Sequence, residues 1–118
     1  MTLFRQCYLR IGDIGIHVDA HDSENLFSVE ESLAQFLAGH RDSDIKIQVE
    51  RKDLSGVKWG EELFDSGTVW RAYRENGSYV FQFNSPPKNP IPYKVAFFDA
   101  EFASGMIYFH QAYFDRIL

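Results

Sequence analysis

The sequence predicts an α+β fold: a single domain over residues 1–118, mainly an antiparallel β-sheet with one short helix packed on a face. Three observations carry that prediction. Aromatic residues make up 16% of the 118 residues, and aromatic and β-branched side chains suit the pleated, half-buried surface of strands. Two stretches, residues 3–18 and 69–84, alternate apolar and polar residues about a two-residue turn. A third, from Ser28 to Gly39, carries helical spacing instead. A chain of this length suits one hydrophobic core.

Residues 3–18 read as a hairpin turning at Gly12-Asp13. Two-residue pairing sets Ile11 against Ile14, Leu9 against Ile16 and Cys7 against Val18, a wholly apolar face. Arg10, Tyr8 with His17, and Gln6 with Asp19 fall on the other face, toward solvent. Residues 19–26 are polar and read as a loop. Ser28 and Glu31 then form a capping box, Leu33, Phe36 and Leu37 follow at helical spacing, and Gly39 ends the helix. Such a helix has about three turns and is marginal alone, so its apolar stripe must lie on the sheet. Residues 44–50 alternate, with Ile45, Ile47 and Val49 inward. Residues 51–68 have no sustained period. Gly56 and Gly60 mark turns there, and Val57, Trp59, Leu63 and Phe64 are expected to tuck a long loop onto the core.

Residues 69–84 form the hairpin expected at the centre of the sheet. Asn76-Gly77 supplies both positive-φ positions of a tight turn. That turn sets Arg74 against Tyr79, Ala72 against Phe81 and Trp70 against Phe83, a largely aromatic face. Val69, Arg71, Tyr73, Val80, Gln82 and Asn84 make a mixed face, and a slip of one residue would exchange the two. The expected buried set is Trp70, Phe81, Phe83, Leu9, Ile16, Ile45 and Ile47. Residues 85–92 hold all 4 prolines and form a rigid connection rather than a central strand. Residues 93–98 resume a strand, with Tyr93, Val95 and Phe97 on one face. A polar corner over 99–105 leads to a last strand at 106–110. The count is about six or seven strands.

The residues disclose no reaction. A formal charge of -5 argues against a nucleic-acid partner. The single cysteine, Cys7, excludes an internal disulfide and a multi-cysteine zinc site, and is expected as a reduced, buried thiol. The N-terminus has no apolar run fit for a signal peptide or membrane span, so the expected location is cytoplasmic, without a membrane partner. His17, Asp19 and His21 alternate, with Asp22 adjacent, and on a strand would turn three metal-capable side chains to one face. The strand is expected to end near Asp19, which breaks that geometry, so no metal site is expected. His40-Arg41-Asp42 has the letters of a kinase catalytic loop without its glycine-rich loop or Asp-Phe-Gly context. It reads as charge after a helix end. There is no nucleophile elbow and no phosphate-binding loop, and the acid pairs Glu30-Glu31 and Glu61-Glu62 read as solvated charge. No catalytic residue, no cofactor and no ATP binding are therefore expected in this chain alone. The aromatic surplus leaves a second class in play, a small-molecule-binding or enzymatic domain with an aromatic-lined pocket. At the C-terminus, Phe114, Ile117 and Leu118 share a helical face, and Tyr113 adds to it. These four residues are the candidate interaction surface, for a following domain, a protein partner or a second copy in a homodimer.

Three passages carry a family resemblance. Phe4 to Ile16 is an aromatic-rich strand followed by Ile-Gly-Asp-Ile-Gly-Ile. The strand Asp44-Ile45-Lys46-Ile47-Gln48-Val49 follows the capped helix. Phe102-Ala103-Ser104-Gly105-Met106-Ile107-Tyr108 is a short turn leading into a Ser-Gly-x-Ile-Tyr strand. Together they resemble the β-rich leader that precedes the nucleotide-binding domain in HPr-kinase-like proteins, some shorter relatives of which are associated with maturation of ribosomally made peptides. The resemblance runs over nearly the whole chain and rests on apolar patterning. It implies a non-catalytic accessory or recognition domain. The family's kinase chemistry belongs to the domain after the leader, so no catalytic residue carries over.

Overall fold

The computed structural model describes residues 2–20, 26–39, 43–67, 69–84 and 89–111. The first hairpin, β1 (Gln6–Ile11) and β2 (Ile14–Ala20), has the predicted register: Cys7 faces Val18, Leu9 faces Ile16 and Ile11 faces Ile14. Gly12 takes the left-handed position of its turn, at φ 61. The second hairpin, β6 (Trp70–Glu75) and β7 (Ser78–Phe83), also pairs as predicted, with Trp70 opposite Phe83, Ala72 opposite Phe81 and Arg74 opposite Tyr79. Asn76 and Gly77 both have positive φ, 50 and 81, the pair of values that a two-residue hairpin turn demands.

The helix is shorter than its sequence pattern. It is a single turn, α1 (Glu31–Ala34), with Glu30 at the N-cap position and no side-chain cap bond. Ser28 is buried and lies before it. Sheet pairing takes the flanking residues. The Phe4 amide donates to the Phe27 carbonyl at 2.7 Å and the Phe27 amide donates back at 3.1 Å. On the other side Leu37 and Ala38 pair with β1 as a two-residue strand, β3. A helix of about three turns gains too little by itself to resist both pairings.

Residues 43–111 add β4 (Ile45–Lys52), β5 (Glu61–Asp65), β8 (Lys94–Phe98) and β9 (Ser104–His110). One nine-stranded sheet results, in the order β3-β1-β2-β4-β9-β8-β7-β6-β5. The sheet is mixed, because β4 runs parallel to both β2 and β9. A parallel neighbour requires a crossover, and the segment carrying Phe27, Val29 and Phe36 supplies it over one face between β2 and β4. The second hairpin is off centre: β4, β9 and β8 hold the middle, and β6 lies beside the edge strand β5. β5 itself falls in the stretch read as loop. A bulge between Glu62 and Phe64 breaks its alternation, which hides it from a period-two reading. Leu63 and Phe64 are 41% and 52% exposed there, so they do not tuck onto the core.

The sheet buries different faces at its two ends. Directly paired residues share a face, so the registers trace one face across all strands. Over β1, β2, β4 and β9 the front face is core. Cys7, Leu9, Val18, Ile47, Val49 and Phe109 pack there beneath Phe4, Phe27, Val29 and Phe36. Over β8, β7 and β6 the back face is core. Val95 and Val80 are fully buried under Leu54, with Val57, Trp59 and Ile91 packed around them. The mixed face of the second hairpin is therefore the one inside. Trp70, Phe81 and Phe83 lie on the front, half-buried, and Ile16 and Ile45 are half-buried as well, whereas Leu9 and Ile47 are buried as expected.

Polar side chains fasten the back cover. Trp59 Nε1 donates to Gln82 Oε1 at 2.8 Å, Gln82 Nε2 to Asn84 Oδ1 at 2.9 Å, and Asn84 Nδ2 to the Asn89 carbonyl at 2.7 Å. The Leu54 amide donates to His110 Nδ1 at 3.1 Å. Asn84 is 2% exposed, and this chain of bonds is what allows an amide side chain to be buried on the core face. Among the described residues no helix is long and apolar enough to cross a membrane.

Candidate functional site

The front face of β6, β7 and β8 carries a strip of aromatic rings. Phe64 packs on Trp70 at 5.0 Å between centroids, Phe81 on Phe98 at 6.1 Å, Phe98 on Phe102 at 5.4 Å and Phe102 on Tyr79 at 5.2 Å. The registers explain the strip. Trp70 and Phe83 are direct partners, and so are Phe81 with Ala96 and Tyr79 with Phe98. Ala72 and Ala96, 8% and 7% exposed, let the larger rings close over them.

Phe102 is the unusual member. It sits in the β8–β9 connection at φ 56, the left-handed region, and is 38% exposed. Glycine or asparagine would hold that conformation with less strain. The turn is built by Asp99, whose Oδ1 accepts from the Ala103 amide at 2.8 Å and whose Oδ2 accepts from the Ser104 hydroxyl at 3.2 Å. The Ala103 amide holds the Asp99 carboxyl below its ordinary range, with Ser104 adding to the effect and desolvation opposing it. Gly105 opens the room beside this turn. A Cβ there would lie 2.7 Å from the Phe97 carbonyl oxygen and 2.8 Å from the Phe98 ring.

Lys94 lies inside the strip. It is half-buried, directly opposite both Phe83 and Phe109, with Nζ 4.6 Å from the centroid of the Phe83 ring. Burial pushes its ammonium below the usual lysine range, and Glu30 pulls the other way.

On the back face, a groove of about 510 Å³ runs over the ends of β4, β9, β8 and β7 and is lined by residues including Lys46, Gln48, Ser78, Asp99 and Met106. Its acid, Asp99, is held by its own turn.

The residues singled out in the sequence fall apart in space. His17 and Asp19 do share a strand face, and β2 runs on to Ala20. His17 is engaged locally, stacked on Tyr8 at 4.4 Å and 3.3 Å from Gln6 Oε1. His21, Asp22 and the His40-Arg41-Asp42 triplet lie outside the described residues, as do Tyr113, Phe114, Ile117 and Leu118. Among the described residues no group of three or more His, Cys, Asp and Glu is placed to hold a metal. Cys7 is buried, and desolvation pushes its thiol up to about 11. The residues that matter most on the strip, Lys94 and Phe102, carried no sequence signal. Lys94 alternates as an outward residue should, and a positive φ at phenylalanine has no pattern to announce it. The chain matches no protein-family model, no curated protein and no solved structure, so its function is read from its own residues.

Proposed function

We propose that this domain is a non-catalytic recognition module, of the accessory kind that the resemblance to HPr-kinase-like leaders implies, and that it holds a protein partner on the aromatic strip. The carrying observation is Phe102, a bulky residue kept at positive φ with its ring laid on Phe98 and Tyr79 and 38% exposed. Strained backbone at an exposed aromatic supports a functional reading. Rigid aromatic anchors surrounded by packed neighbours are what protein interfaces use most. Exposed Phe64 extends the surface to the edge strand. The resemblance names the partner to try first, a nucleotide-binding domain of the HPr-kinase-like type. In a Trp59→Phe background, Trp70 fluorescence reports on the strip directly. Titration with such a domain should give a saturable change, lost in Phe102→Ser while circular dichroism stays native. Binding weaker than about 100 µM, or binding indifferent to Phe102→Ser, would remove the proposal.

A further inference from the structure

We infer that the segment recognised by the aromatic strip is an acidic, apolar one, in which an Asp or Glu side chain between apolar residues meets the ammonium of Lys94. The inference rests on the recognition reading above and names the partner's chemistry at that same surface. Lysine is seldom buried without a partner. Three arginines each have a carboxylate beside them: Arg71 lies 3.2 Å from Asp65, Arg74 3.7 Å from Glu61 and Arg10 4.0 Å from Asp13. The Lys94 ammonium, by contrast, has no ion pair or hydrogen bond among the described residues. Its close companion is the Phe83 ring. Glu30, the carboxylate that acts on it, is exposed at the start of α1 and makes no ion pair with it. An ammonium on an aromatic surface, already stripped of much of its water, gains strongly from one carboxylate oxygen. Lys94 stands where the open strip meets the covered core, with the Phe83 ring on one side and the fully buried Phe109 on the other, so a bound segment reaches it from the Phe83 side.

Two capped peptides test this, acetyl-Ser-Leu-Phe-Asp-Phe-Ser-amide and its Asn counterpart, with Trp70 fluorescence in the Trp59→Phe background as readout. The Asp peptide should bind about tenfold or more tighter than the Asn peptide, the difference a charge-assisted hydrogen bond makes. The gap should close in Lys94→Met and persist in Lys94→Arg. Equal binding of the two peptides, with both lost in Phe102→Ser, would overturn this inference and leave the recognition reading standing. A gap that survives Lys94→Met would also overturn it. Failure of both peptides to bind would overturn both readings. If 4-phenylbutyrate binds as tightly as the Asp peptide, the face is a small-molecule site and the peptide assignment falls.

Discussion

A hydroxyl, placed in turn on two neighbouring residues of β7, tests which face of the second hairpin is core. Val80 is 0% exposed and packs with Leu54 and Val95 on the back face, whereas Phe81 is half-buried on the front. Val80→Thr keeps the shape of the side chain and places a hydroxyl among apolar groups. The backbone around it is already paired with β6 and β8, so the new hydroxyl has no free acceptor close by. Burying it without a partner costs about 1–3 kcal/mol. For a domain of this size that lowers Tm by roughly 4–12 °C. With a urea m-value of about 1.5 kcal/mol/M, a 2 kcal/mol loss moves the midpoint down by roughly 1.3 M. Phe81→Tyr extends a ring on the half-open front and should change stability by no more than about 0.5 kcal/mol. Paired urea titrations of the two variants decide the matter. A Phe81→Tyr loss equal to or larger than that of Val80→Thr would mean that the aromatic face is the core, as the sequence alone suggests, and would undo both the two-core description and the functional reading built on the open strip.

Three further outcomes follow from single contacts. Gly105→Ala should cost roughly 1–3 kcal/mol, because its Cβ would stand 2.7 Å from a backbone oxygen that cannot swing away; chemical denaturation checks it, and a neutral result would mean that β8 and β9 can part. Cys7, whose folded thiol is pushed up to about 11, keeps its proton at pH values where the unfolded chain has lost it, so stability is full below pH of about 9 and falls as pH rises toward 11; Cys7→Val should flatten that alkaline limb, and native protein should react with a disulfide reagent at pH 8 far more slowly than urea-unfolded chain. Asp99 is shifted the other way, mainly by the Ala103 amide, so its contribution is present above pH of about 4 and lost as pH falls through the folded value; Asp99→Asn should shallow the acid limb of a melting profile, and an unchanged limb would show that the turn does not depend on the charge.

Both hairpins were legible residue by residue in the sequence, because a two-residue turn leaves one register and the turn residues announce themselves. Gly12-Asp13 and Asn76-Gly77 fixed every partner from Cys7–Val18 to Trp70–Phe83. Local alternation likewise found β4 and placed Ile47 and Val49 inward. What pairing could not say is which side of the second hairpin another part of the chain would cover. Trp70, Phe81 and Phe83 have the larger apolar area, yet Leu54, Val57 and Trp59 come down on Val80 and Val95 instead, held there by the Trp59–Gln82–Asn84 bonds and the His110 contact to Leu54. That choice is made by contacts between residues far apart in sequence, and no local period records it. The same holds for the helical stripe of Leu33, Phe36 and Leu37, which yields to sheet pairing once β1 offers a free edge. The sequence by itself determined the strands and their immediate partners. The tertiary structure alone decided that the sheet changes its buried face midway, which leaves the aromatic strip open and sets Lys94 within it, because burial belongs to whatever covers a strand and not to the strand.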